Sequence, residues 1–254
     1  MAVTHTVADN ITLARGRLYF APFIAGTTTP QDAELYLGNT PGCSLTGEVE
    51  KLDHYTADTK VRSKDRSIVI EANYSGTLDT DNVSTENLAR FFMGTASTVT
   101  TTAATGKTIA TTGTLPVDSV IQLGRTAANP AGDRNVTNVV ITGKTLGTDY
   151  AVDLALGQVQ VLVAGLFVGT YDVSASTRDR VISAGEQAKG LLHFVADNPE
   201  GTNRDIILPS VTLAPAGDYA IKGDGTDWTT MSFTLEVLKK DAATPAVIID
   251  GRPA

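Results

Sequence analysis

Cysteine occurs once in this 254-residue sequence, at Cys43, so no disulfide forms within the chain and a small cross-linked secreted scaffold is excluded. Aromatic residues are scarce at 6%, and most fall in strand-like patterns. That argues against a surface gripping polysaccharide through clustered exposed rings. No run of about 20 apolar residues occurs, so no membrane-spanning helix is expected. The stretch 1–17 lacks the apolar core of a signal peptide, and the expectation is a chain made soluble in a reducing compartment. Positive charge is short as well: 20 Lys and Arg stand against 28 Asp and Glu, a net charge of −8. Such a chain gains no affinity for nucleic acid by neutralising phosphates, which leaves open only a role in which DNA passes without sticking. Long stretches of helical periodicity are missing too.

What is present is alternation. With 42% hydrophobic and 19% charged residues the composition suits a packed interior, and the length suffices for one large β-domain or two small ones. Ile68, Ile70, Ala72, Tyr74, Gly76 and Leu78 read as one face of a strand, and Val69, Glu71, Asn73, Ser75 and Thr77 as the other. Ser44, Thr46, Glu48 and Glu50 alternate likewise with Leu45, Gly47 and Val49. Near the C-terminus, Phe233, Leu235 and Val237 alternate with Ser232, Thr234 and Glu236. Further strands are expected at 17–23, 136–142, 158–163, 169–174, 191–196, 205–213 and 218–222, with Gly, Pro, Asn and Asp in the turns between them. Many short strands with polar turns imply an all-β sandwich or barrel.

One short helix is expected over 84–94. Ser84 caps it, Glu86 suits its positive end, and Leu88, Phe91 and Phe92 have the spacing of one buried stripe that anchors it on the sandwich. Gly94 supplies the stop. The stretch 95–114 reads as a loose connection into a β-rich middle region at 98–185, leaving 1–97 and 186–254 as the sandwich core.

Motifs for chemistry fail on inspection. The Gly-Lys-Thr triplets at 106–108 and 143–145 have Thr101 and Asn138 where a phosphate loop needs an earlier glycine, and no helix follows, so both read as β-turns. Asp79, Asp81 and Glu86 lack the spacing of a calcium loop, and Asp224 and Asp227 fit a polar hairpin loop. His5, His54 and His193 are scattered rather than clustered as metal ligands, and no Gly-x-Ser-x-Gly elbow occurs. Cys43 has no basic neighbour in sequence and reads as a structural thiol. No catalytic residue, metal or cofactor is expected.

Charge is distributed more informatively. Between His54 and Ser67, Lys60, Arg62, Lys64 and Arg66 recur at every second residue, with Asp58 and Asp65 among them. This basic segment joins the two best alternating strands. It reads either as a solvated hairpin tip or as a finger that docks, with its basic side chains on one side, on an acidic surface of another copy.

Arg15-Gly16-Arg17-Leu18-Tyr19-Phe20, Leu37-Gly38-Asn39-Thr40-Pro41, the long hairpin and the helix together resemble the major tail tube proteins of long-tailed bacteriophages. So do Asp149-Tyr150-Ala151-Val152-Asp153, Gly157-Gln158-Val159-Gln160-Val161, and the C-terminal segments 206–215 and 231–238. The resemblance covers most of the chain as an overall pattern. It implies a β-sandwich beside one helix, in subunits that form hexameric rings stacked into a hollow virion tail tube, made in the host bacterial cytoplasm. It also implies a tape-measure protein, tail terminator and distal tail proteins as partners, DNA passing through the lumen without specific binding, no membrane, and a middle region decorating the outside. On that reading Glu48, Glu50, Glu71, Asn73 and Thr77 are lumen-lining residues, and Lys60, Arg62, Lys64, Asp65 and Arg66 lie in an inter-ring loop. The rival expectations are another virion β-structural protein, such as a head decoration or adhesin-like surface-binding module, and a hydrolase with a dispersed site.

Overall fold

A computed structural model describes residues 11–58, 60–223 and 225–253, so His5 and Asp224, weighed above as ligands, lie outside the described residues. The fold is all-β. In chain order it runs β1 (Gly16–Pro22), β2 (Leu35–Tyr36), β3 (Gly42–Thr56), β4 (Ser63–Thr80) and α1 (Thr85–Phe91). There follow β5 (Gly94–Thr101), β6 (Ala104–Ala110), β7 (Val120–Gln122), β8 (Val136–Ile141), β9 (Tyr150–Asp153), β10 (Gln158–Val161) and β11 (Val168–Val173). The last are β12 (Ser176–Ser183), β13 (Ala188–Ala196), β14 (Arg204–Ala216), β15 (Met231–Val237) and β16 (Ile248–Gly251).

The chain divides into two compact units, residues 1–96 with 181–254, and residues 97–180. The divisions expected from the sequence fall at 97/98 and 185/186. Unit 1 holds an antiparallel sheet ordered β2-β1-β13-β14-β15-β4-β3, with β16 also on β14. Alternation builds its core: Leu18 and Phe20 of β1, Leu192 of β13, Leu213 of β14, and Met231, Phe233 and Leu235 of β15 are buried on one face. At the β14–β16 ladder, Arg252 donates to Asp205 at 2.8 Å and to the Ala196 carbonyl at 2.6 Å. That guanidinium, helped by the Ala196 N–H, holds the Asp205 carboxyl below its ordinary value.

Unit 2 has two three-stranded sheets, β7-β10-β9 and β6-β11-β8. Its core gathers Ile109, Leu123, Tyr150, Val159, Val161, Phe167 and Tyr171. Asp133, buried among them, is satisfied by Lys107 and by the Tyr171 hydroxyl at 2.8 Å. Burial, and then that carboxylate, push the Tyr171 phenol upwards.

Several expectations need correction. The stretch 95–114 is no loose connection but carries β5 and β6, and β5 pairs with β12. Threonine-rich sequence hid these strands because the alternation there is between small polar residues. Residues 218–222 form no strand. The triplet at 106–108 lies inside β6, where Gly106, at φ +67°, donates its N–H to Asp172 across an irregular step in the ladder. The triplet at 143–145 is a turn, with Gly143 at φ +72°.

The helix begins as read, with the Ser84 hydroxyl accepting from the Asn87 N–H at 3.2 Å. Its buried side differs. Phe91 is buried and Leu88 partly so, but Phe92 is 42% exposed, so it is not a core anchor. The helix is only seven residues long and turns Asn87 inward, where its amide donates to the carbonyls of Leu37 and Asn82. That rotation swings Phe92 outward, edge-on to Phe91 and Tyr219. Gly94 is not the stop either. Met93, at φ 47°, makes the left-handed turn, and Gly94 opens β5 where any Cβ would collide with the Ile182 carbonyl.

Candidate functional site

Residues of β3 and β4 pair from Gly42 opposite Asp79 to Thr56 opposite Ser63. β15 accompanies β4 only from Tyr74 to Thr80. Residues 63–73 therefore pair with β3 alone, and at 3.3 Å per residue this arm reaches on the order of 35 Å beyond its neighbour. β3 is the last strand in the sheet order, so its outer edge has no partner strand among the described residues. Two strands alone make a marginal structure in water, and an open edge invites pairing.

Directly opposed residues share a face. Ser44 faces Thr77, Thr46 faces Ser75, Glu48 faces Asn73 and Glu50 faces Glu71. Glu48, Glu50, Glu71, Asn73 and Thr77 thus stand on one side, and Glu236 of β15, opposite Ser75, joins them. Glu50 and Glu71 oppose each other, an unfavourable like-charge pair unless water or a counter-ion lies between. On this side Asn73 donates to Glu71 at 2.6 Å and Ser44 bonds Thr77 at 2.9 Å. The other side carries Leu45, Gly47 and Val49 against Gly76, Tyr74 and Ala72. This side continues the core face: Leu235, 1% exposed, is level with Gly76 and then with Leu45, which is 40% exposed.

Two bulges then change the arm. Glu50 pairs with Glu71 but Lys51 with Val69, so Ile70 is an extra residue. β3 keeps its alternation, which puts Leu52 and its partner Ile68 on the acidic side. The expectation that Ile68 shares a face with Ala72 and Tyr74 is therefore wrong. A second bulge at Asp65 sets His54 opposite Arg66 and Tyr55 opposite Lys64. Since His54 and Tyr55 are consecutive, Arg66 and Lys64 point to opposite sides, and the expectation that the basic residues project together fails. Lys64 bonds Asp53 at 2.7 Å, and Arg62 lies 4.7 Å over the Tyr55 ring. The Lys64 ammonium, with the Ser67 hydroxyl, holds the Asp53 carboxyl below its ordinary value. Asp65 takes His54 at 2.5 Å. Lys60 and Arg66 have no ion-pair partner among the described residues, and the segment is strand up to Thr56 and from Ser63, leaving a tip of 57–62.

A family model described as "Protein of unknown function UCP028589" matches residues 11–247. The chain belongs to that family. No curated protein matches the sequence. The matched span takes in the whole arm, α1 and all of unit 2, and stops short of β16.

Within it, no three His, Cys, Asp or Glu side chains among the described residues come together as a metal site. His54 and His193 lie apart on β3 and β13, each beside a carboxylate of its own, Asp65 and Glu34. Asp81 accepts from the Asn39 amide and Asp79 sits beside Gly42, both at turns and strand ends. No described helix is long and apolar enough to cross a membrane. Sequence reasoning missed the bulges, whose signal is nothing more than two extra residues on β4.

Proposed function

We propose that this chain is a structural subunit that polymerises into stacked hexameric rings forming a hollow phage tail tube, with an acidic bore for DNA ejection. The observation that carries the reading is the arm, where the apolar core face of the sheet runs out uncovered through Leu45, Val49, Val69 and Tyr74, between 37% and 58% exposed, beside an open strand edge. Apolar surface and unpaired backbone of this extent are covered by other copies in an assembling protein. The opposite side, acidic through Glu48, Glu50 and Glu71, suits a wall that DNA slides past, since repulsion of phosphates reaches about 8 Å at physiological salt. The resemblance to tail tube proteins supplies the ring symmetry. Tape-measure, tail terminator and distal tail proteins are the partners on this reading, no catalytic residue or cofactor takes part, and unit 2 decorates the outside.

Negative-stain electron microscopy of the purified protein tests it. Stacked rings or tubes are the expected result, and uniform monomers up to high concentration would remove the proposal. A second reading, a head decoration or adhesin-like surface-binding module, is favoured by one observation. Tyr36, Tyr19 and His193 stand side by side, with ring centroids 5.6 and 6.5 Å apart and Tyr36 52% exposed. Saccharide binding that quenches tyrosine fluorescence, with no rings on the grid, would select it.

A further inference from the structure

The loop between β14 and β15 holds the two most exposed large apolar side chains among the described residues, Trp228 at 92% and Ile221 at 91%. Exposed apolar residues scattered singly are ordinary, but two almost wholly bare ones in one loop, one of them the chain's only tryptophan, are not. An indole buries on the order of 200 Å² when covered, and tryptophan is among the residues enriched as anchors of protein interfaces. The loop's base is held in place, because Tyr219 packs against Phe91 and Phe92 with centroids 5.7 and 5.6 Å away.

The complement lies in the same unit. A groove of about 480 Å³ opens on the core face of the sheet, lined by Leu45, Leu192, Phe194, Ile206, Leu208 and Leu235. Its one charged lining residue is Arg15, and the Asp79 carboxylate stands beside Gly42 of the lining. In the loop, Asp227 directly precedes Trp228, Asp218 lies at the loop's start, and Lys222 directly follows Ile221. Both patches are apolar, and the loop's excess of carboxylates over its one cation, Lys222, offers Arg15 a partner.

We infer that Trp228 and Ile221 form a knob that seats in the groove of a second copy, with Asp227 towards Arg15. The contact is head to tail, the geometry that closes rings or extends filaments. It rests on the reading that the chain self-assembles, and it names the anchor.

The lone tryptophan reports on itself. Wild-type protein is taken through its assembly transition while sedimentation velocity, tryptophan emission and acrylamide quenching are recorded. Emission should move to the blue and quenching should fall about threefold or more as larger species appear. Trp228→Ser should weaken association by about 30-fold or more. Leu45→Glu, at an already half-exposed position, should weaken it likewise while leaving its own Trp228 in water. Cys43→Glu, at an exposed position lining the groove on the same side of β3 as Leu45, serves as a second variant should Leu45→Glu melt early. Adding the Trp228→Ser chain, which keeps its groove, should then shift the emission of the Leu45→Glu chain. Assembly of wild type with emission still that of water overturns the knob and leaves self-assembly standing. Blue emission already in the monomer, or the full shift in both groove variants, means that the loop packs on its own chain or that another segment fills the groove, and overturns it too. A chain that never associates overturns the assembly reading itself.

Discussion

Cys43 illustrates how a residue's chemistry follows from where its side chain points. It belongs to β3 and is exposed as a whole, yet it lines the apolar groove, where desolvation first and the charge of Asp79 second push its thiol up to about 11. The thiolate is the nucleophile, so the neutral form that the groove favours is inert near neutrality. Alkylation by iodoacetamide should therefore be slow at pH 7.5, and its rate should keep rising as the pH climbs past 9 towards 11. A rate that levels off just above the ordinary thiol value of about 8.5 would show that the groove does not desolvate Cys43. Burial works in the same direction at Tyr171, whereas at Asp205 and Asp53 a cation beside a half-buried carboxylate works the other way.

At the scale of elements, α1 is the clearest case of a helix that survives only by packing. Seven residues are too few to hold a helix in water, and its contacts are with β14 and β15. Phe91 supplies them, edge-on to Phe233 at 5.8 Å and beside Tyr219 at 5.7 Å. Phe91→Ala should cost about 3–5 kcal/mol, read from chemical denaturation, while Phe92→Ala, at a 42% exposed position, should cost far less. Equal losses would restore the three-residue stripe that the sequence implies. The cap at Ser84 was legible because a hydroxyl before a helix has one evident use. The buried side was not, because the inward turn of Asn87 depends on the carbonyls of Leu37 and Asn82, which only the fold brings near. The strands of unit 1 were legible wherever large apolar residues alternate, as in β15, and illegible in β5, where threonine and alanine fill both sides. On the arm, the shared face of Glu48, Glu50, Glu71, Asn73 and Thr77 followed from period two alone. Beyond Ile70 that rule fails, since one extra residue exchanges the faces.

For the whole molecule, the bulges turn the basic finger into two different surfaces, which decides how its role in stacking is tested. Arg62 and Lys64 are engaged within the arm, over Tyr55 and on Asp53, so changing them would loosen the arm as well as alter its charge. Lys60, in the tip, and Arg66, on the acidic side beside Leu52 and Ile68, are the cations left to meet another copy. The rest of the chain is strongly acidic and offers such a partner. One exposed ion pair contributes about 0–1 kcal/mol, so either substitution alone should do little. A ring presents several tips at once, and their small contributions add across the interface. Lys60→Glu with Arg66→Glu should therefore leave the circular dichroism spectrum and melting temperature near those of wild type while shortening or abolishing tubes on the grid. Raised salt should weaken wild-type stacking only in part, because the apolar side of the arm and the open edge of β3 are not screened. Long, ordinary tubes from the doubly substituted chain would mean that the tip is a solvated turn, and that stacking relies on the arm's apolar side alone.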